Sequence, residues 1–285
     1  MTGTALPAMS LRSYSVSLAD HTTVVTEYTD YTESEDGRGP AVLLVHSALL
    51  DQKMWSATAV GLAGYRVITY DLRGHGSARQ ASPMTGIEQL ARDLGELADI
   101  LELDTVDVVG VSLGGAVAQS FAADRPARVS SLALVATAVR FPADTMTTRA
   151  QTLELQGRAA VRDTTLRRWF RAGLLGDAEA EPVRYAREQL DHTTVEQWKA
   201  AWQALAAFDN TGAAAGMGIP VLGIAGDQDP STPAEVVREL VEAYRHGTFT
   251  QLRDASHLIP LEQPGPLAEV LGSFLATVHS PLPRR

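Results

Sequence analysis

The chain predicts an α/β fold: a mostly parallel sheet flanked by helices, with a helical segment inserted between two of its strands. Three observations predict it. Apolar, β-branched runs alternate with helical pattern along most of the 285 residues, the pattern of a parallel sheet covered on both faces. One such run enters Gly110-Val111-Ser112-Leu113-Gly114, a sharp strand-to-helix turn. Between about Val139 and Met217 strand-like sequence stops, leaving a stretch rich in Ala, Arg, Leu and Glu that suits helix.

Taken in order, Val24–Tyr28 reads as an early strand, compatible with antiparallel pairing, and the polar, Gly-containing segment Thr29–Pro40 as a surface turn. Ala41–Val45 is an apolar run of the fully buried kind, followed by a loop and a helix near Ser56–Gly61. Arg66–Tyr70 is the next strand, and Ile87–Leu101 carries apolar residues at helical spacing. Val106–Val111, a helix from Gly114 to about Asp124 and Val129–Ala136 follow. After the inserted segment, strands resume at Pro220–Ala225 and Thr248–Leu252, with helices near Ala234–Tyr244 and Pro266–Thr277. The expected organisation is a core of residues 1–138 and 218–285 with a helical lid at 139–217. Such an insertion lies over the carboxyl ends of the strands, where open α/β sheets bind ligands.

Composition narrows the function. A content of 45 % apolar and 20 % charged residues supports a large buried core. The net charge of −10 argues against nucleic acid or an anionic membrane as partner, and no local basic run offsets it. With no cysteine, disulfides, thiolate catalysis and Cys-type metal sites are excluded. The N-terminus lacks a basic region followed by an apolar core, and no apolar run is long enough to span a bilayer. A cytoplasmic location is expected.

The Gly-x-Ser-x-Gly turn points to chemistry. Glycines two positions either side of Ser112 remove side chains that would collide at so sharp a turn. The hydroxyl is lifted out of the sheet at a helix N-terminus, where developing negative charge is favoured. A serine needs a base to take its proton, and the base needs an orienting acid. His257 follows the last strand, in Asp254-Ala255-Ser256-His257, and is the expected base. His46 and His75 also follow strands but precede the serine; His21, His246 and His279 read as surface positions, and His192 falls in the lid. Asp229, in Gly226-Asp227-Gln228-Asp229-Pro230, is the expected acid, ahead of Asp227 and Asp254. Charge on the attacked carbonyl oxygen requires preorganised donors. The backbone N–H of Leu113 and that of Ala48, in the loop after Ala41–Val45, are the candidates. Trp55 either covers the site or belongs to the core.

These residues resemble the α/β-hydrolase superfamily, and within it the 3-oxoadipate enol-lactonases. The loop from His46 to Trp55 is similar to that group's oxyanion loop, with Ser47 where most relatives have glycine. Tyr70-Asp71-Leu72-Arg73-Gly74-His75-Gly76 matches a structural turn of the superfamily, and Arg168-Trp169-Phe170 resembles a lactonase lid motif. Ser256-His257 with Glu262-Gln263-Pro264 resembles the histidine loop. The similarity runs from about Ala41 to Ala276. Departures from the pattern include His46 where the lactonases usually have Asn, and Ala78 where serine is usual.

The resemblance implies an α/β-hydrolase fold and a small-molecule lactone or ester substrate. It also implies Ser-His-Asp chemistry without metal or organic cofactor. In the lactonase reading a lid arginine, Arg168, holds a substrate carboxylate; the alternative is that it only decorates a lid helix. Trp169 would line the same pocket, although core packing is expected for at least two of Trp169, Trp198 and Trp202. Carbon–carbon bond hydrolysis, perhydrolase exchange and a non-catalytic binding role are the competing functions. Haloalkane dehalogenases and epoxide hydrolases resemble the fold but need aspartate where Ser112 stands.

Overall fold

The computed structural model describes residues 10–18, 24–32, 39–177 and 179–280. Residues 33–38 of the expected surface turn, together with His21 and residues 1–9, lie outside them. The strands are β1 (Ser10–Leu18), β2 (Val24–Thr32), β3 (Ala41–Val45), β4 (Arg66–Tyr70), β5 (Val106–Val111), β6 (Val129–Val135), β7 (Pro220–Gly226) and β8 (His246–Leu252). Together they form one eight-stranded sheet ordered β1-β2-β4-β3-β5-β6-β7-β8. The β1–β2 and β2–β4 pairs are antiparallel; every other pairing is parallel.

Two elements differ from expectation at the N-terminal edge. β2 continues through Thr32, so the first part of the expected turn is strand, and β1 stands where no strand was expected. β1 alternates in the manner of a one-sided strand: Ser15 and Ser17 are exposed, Val16 packs on the core and Leu18 is buried. Elsewhere the strands begin and end within two residues of the apolar runs. β5 is buried at all its positions, as a central strand with helices on both faces must be.

Helices α1 (Ser56–Val60), α2 (Ile87–Ile100) and α3 (Leu113–Asp124) connect the first parallel strands. Between β6 and β7 run α4 (Ala143–Trp169), α5 (Ala172–Leu175), α6 (Glu181–His192), α7 (Val195–Ala207) and α8 (Thr211–Ala214). α9 (Ala234–Glu242), α10 (Ile259–Glu262) and α11 (Pro264–His279) complete the chain. α4 is two helical pieces meeting at Gly157, whose φ of 76° only glycine adopts freely. The inserted helices bury Leu153, Leu166, Val183, Leu190 and Trp198 in the same continuous apolar core as the sheet. They are also tied to the core, because Tyr185 of α6 donates to Asp51 Oδ1 at 2.7 Å. Among the described residues no helix is long and apolar enough to cross a membrane.

The loops at the carboxyl ends of β3 and β4 are fixed by buried polar groups. Asp71 accepts from the Gln52 and Ser77 N–H groups, both at 2.8 Å, and a Cβ at Gly76 would strike its carboxylate. Arg73 pairs bidentately with Asp93 at 2.9 and 2.8 Å, with both side chains buried. His46 Nδ1–H donates to the Ser47 carbonyl at 2.7 Å, and its Nε2 accepts from Leu72 N–H at 2.9 Å. Both ring nitrogens of His46 are therefore used structurally, in the neutral form. His75 packs edge-on against it with ring centroids 5.1 Å apart.

Burial, reinforced by the neighbouring His46, pushes the His75 pKa down to about 3. The unfolded chain takes up that proton below its ordinary value of 6.5 and the folded protein does not. Stability therefore falls as pH drops from 6.5 towards 3. His75→Asn keeps a donor for the Arg73 carbonyl, the 2.9 Å partner of Nδ1, and removes the titration. Urea unfolding at pH 7, 6 and 5 is expected to give a slope shallower by up to about 1.4 kcal/mol per pH unit in the variant.

Candidate active site

Ser112 sits at the tip of β5, between the strand and α3, with φ 54° and ψ −116°. A non-glycine residue here is strained by roughly 1–3 kcal/mol, and such strain persists only where the surroundings hold it. The surroundings are explicit. A Cβ at Gly110 would collide with the Gly114 backbone, and one at Gly114 with the carbonyl oxygens of Val45 and His46. At Gly115 a Cβ would meet the Thr137 side chain. Thr137 Oγ1 in turn donates to the Ser112 carbonyl at 2.7 Å. The glycines thus permit α3 to start directly against the β3 loop, with the serine held above the sheet edge.

His257 and Asp229 converge on that serine from the loops after β8 and β7. Ser112 Oγ lies 3.0 Å from His257 Nε2, and His257 Nδ1 lies 2.9 Å from Asp229 Oδ2. Asp229 also accepts from Ser231 N–H at 2.7 Å, Thr232 N–H at 3.1 Å and Thr232 Oγ1–H at 2.6 Å. Burial opposes its charge, but the contacts with His257, Thr232 and Ser231 outweigh that and hold the carboxyl below its ordinary range. Asp227 is turned elsewhere, accepting from Ala255 N–H at 3.2 Å, and Asp254 is exposed. His192 and His246 are exposed; His279 is partly exposed and pairs with Asp107 at 2.6 Å.

The histidine loop is stitched to the inserted helices. The Trp169 carbonyl accepts from both His257 N–H and Leu258 N–H at 3.2 Å. Glu262 accepts from Ser256 N–H through one oxygen and from Arg171 N–H through the other, the latter at 3.0 Å. Burial raises the Glu262 pKa against those bonds.

A small cavity of about 40 Å³ opens over Ser112 and His257. Ser47, Ala48 and Leu49 form one wall, and the inserted helices supply Arg168, Trp169 and Trp202. The N–H groups of Ala48 and Leu113 have no hydrogen-bond acceptor among the described residues.

The pocket reading of Trp55 is corrected. Trp55 does not line the cavity: the 3-10 turn Gln52–Trp55, capped by Asp51, rotates it inward, where it is fully buried. Core packing holds for all three inserted tryptophans: Trp169, Trp198 and Trp202 are buried in the core, and Trp169 and Trp202 also reach the cavity wall. Sequence reading missed Thr232 and Arg149. Thr232, three residues beyond Asp229 in the same turn, could have been found as a local side-chain partner. Arg149 carries no such signal, since nothing in its local sequence sets it apart from the other arginines of α4. Among the described residues no group of three or more His, Cys, Asp or Glu side chains is placed to hold a metal ion.

Sheet order, strained serine and converging loops define an α/β hydrolase. The profile of the alpha/beta hydrolase fold matches residues 40–264, and the chain belongs to that family. It is 32 % identical over 227 residues to 3-oxoadipate enol-lactonase 2 of Acinetobacter baylyi, covering 79 % of this chain and 84 % of that one. Among solved structures it is similar to a thermophilic esterase from Thermogutta terrifontis, with TM-score 0.83, 27 % identity and coverage of 94 % and 100 %. It is likewise similar to the enol-lactonase from Burkholderia xenovorans LB400, with TM-score 0.81, 29 % identity and coverage of 90 % and 98 %.

Proposed function

We propose that this protein is a serine hydrolase that cleaves a lactone or small carboxylic ester through an acyl-enzyme. The observation that carries the reading is the continuous line Ser112 Oγ, His257 Nε2, His257 Nδ1, Asp229 Oδ2, with contacts of 3.0 and 2.9 Å, opening on the cavity. His257 takes the Ser112 proton as Oγ attacks the carbonyl carbon, and Asp229 stabilises the imidazolium that forms. The backbone N–H groups of Leu113 and Ala48 receive the negative charge on the carbonyl oxygen. Collapse of the tetrahedral intermediate breaks the acyl C–O bond, and His257 returns the proton to the departing oxygen. In a lactone that oxygen stays tethered to the acyl group. Water, deprotonated by His257, then attacks the acyl-enzyme and frees Ser112 and the acid.

In this reading α4–α8 act as a lid over the site, and Arg168 faces the substrate. Likeness to an esterase and to enol-lactonases supports the ester and lactone class. The test is a rate comparison of wild type and Ser112→Ala on 3-oxoadipate enol-lactone, neutral lactones, and p-nitrophenyl acetate and butyrate. Ser112-dependent turnover that favours the acidic enol-lactone is the expected result. Preference for the neutral compounds would keep the serine hydrolase and discard the acidic substrate. Silence across the panel would overturn the ester and lactone reading in favour of carbon–carbon hydrolysis or binding.

A further inference from the structure

The turn that carries Asp229 commits a second side chain to it. Thr232 Oγ1–H donates to Asp229 Oδ2 at 2.6 Å, and Oγ1 lies 3.3 Å from His257 Nδ1. Oδ2 is also the oxygen that His257 Nδ1 meets, at 2.9 Å. Hydroxyl, carboxylate oxygen and imidazole nitrogen therefore form a closed, buried triangle, with Thr232 in the wall of the cavity over Ser112. The other carboxylate oxygen, Oδ1, is held separately by the backbone N–H groups of Ser231 and Thr232.

The local fold offers that hydroxyl another use. Pro233 follows Thr232 and leads into α9, a helix whose first turn receives no side-chain cap. A threonine at the entry to a helix can supply such a cap. Here the hydroxyl goes to the carboxylate instead. β-Branching and the proline that follows leave Thr232 few conformations, so the turn itself places Oγ1. Burial opposes the Asp229 charge, and His257 and then the Thr232 hydroxyl offset it. A donor on Oδ2 draws charge from the oxygen that faces His257, and it restrains the carboxylate from turning that oxygen off the imidazole.

We propose that Thr232 is a positioning residue for the reaction at Ser112: its hydroxyl fixes Asp229 Oδ2 on His257 and sets the strength of the bond between them. The inference rests on the serine hydrolase reading and adds to the trio a residue that acts through Asp229. Without the hydroxyl, Oδ2 keeps one donor, the Nδ1–H of His257. The carboxylate then pulls harder on that proton and favours the imidazolium, while the ring is held less firmly for Ser112. The 3.3 Å contact of Oγ1 with Nδ1 works in the opposite sense, but the 2.6 Å bond is much the shorter and decides the sign. Glu262, whose charge acts on Asp229, and Arg149 and Arg168 in the cavity wall also face this pair, and the substitution leaves all three in place.

The experiment compares wild type with Thr232→Val, Thr232→Ala and Thr232→Ser on p-nitrophenyl butyrate, each protein checked by thermal melting. Valine matches threonine in shape, and alanine keeps the test open should the valine variant not fold. Both are expected to lower kcat roughly tenfold with KM changed by less than about twofold, and to move the acid limb of the kcat/KM profile to higher pH by about half a pH unit. Thr232→Ser keeps the hydroxyl and is expected to recover most of kcat and the wild-type limb. The His257 ring titration, followed by NMR and identified by its absence from His257→Ala, should move in the same direction and needs no turnover. A lower kcat with limb and ring titration both unmoved, or a serine variant as impaired as valine, would overturn the proposal and leave Thr232 only a part of the turn. A ring titration that moves in Thr232→Val but not in Thr232→Ser, in a protein that hydrolyses no ester, would keep the hold of Thr232 on Asp229 and refute the hydrolase reading instead.

Discussion

Ser112→Ala is expected to lower kcat on any turned-over ester by about 10⁴- to 10⁶-fold, the range seen when a triad nucleophile is removed. The loss should appear in kcat rather than KM, because the hydroxyl forms its covalent bond only as reaction proceeds. Folding is a separate matter. The positive φ at position 112 is imposed by packing of Gly110, Gly114 and Gly115 against their neighbours, and alanine has the same Cβ as serine. A thermal melt within a few degrees of wild type is therefore expected alongside the kinetic collapse. Stopped assays at high enzyme concentration, sensitive to a residual of one part in 10⁵, check both statements.

Asp229→Asn should cost about 10⁴ in kcat while leaving the site assembled. The carboxylate has four hydrogen-bond donors around it, and three of them come from Ser231 and Thr232 in its own turn. Those three fix its orientation whether or not it is charged. An amide in its place can turn an NH₂ towards His257 Nδ1, which forces the proton onto Nε2, the atom that must accept from Ser112. The stability consequence has a definite sign. The Asp229 carboxyl is held below its ordinary range in the fold, so the stabilisation it contributes is present at neutral pH and lost as acid protonates it. The variant should accordingly lose stability at pH 7 and show a weaker decline between pH 5 and 3, measurable by urea titration.

How much of this was legible before the structure depends on how each residue signals. Buried parallel strands read as apolar runs, so β3 to β7 could be placed nearly to the residue, whereas β8, an edge strand with no buried position, begins two residues before the expected strand. β1 alternates serine with larger residues and does not stand out as an apolar run. The proposed catalytic trio announces itself through local chemistry: glycines around Ser112, a post-strand loop for Asp229, a histidine after the last strand. Its rival Asp227 differs only in which way the turn points it, a choice settled by its bond to Ala255. Trp55 shows the opposite limit. Its neighbours belong to the loop beside Ser112, yet one turn of 3-10 helix sends the indole into the core. Arg149 and Arg168 lie on two pieces of a helix bent at Gly157. Both line the cavity over Ser112 from opposite sides of that bend, which periodicity does not reveal.

The most direct measurement is intact-protein and peptide mass spectrometry after exposure to an alkyl fluorophosphonate, which reacts with activated serine hydroxyls. One adduct confined to Ser112 is predicted, absent from Ser112→Ala and formed far more slowly in His257→Ala. An unlabelled Ser112 in folded protein, or equal labelling of Ser112→Ala, would contradict the nucleophile on which the whole reading stands.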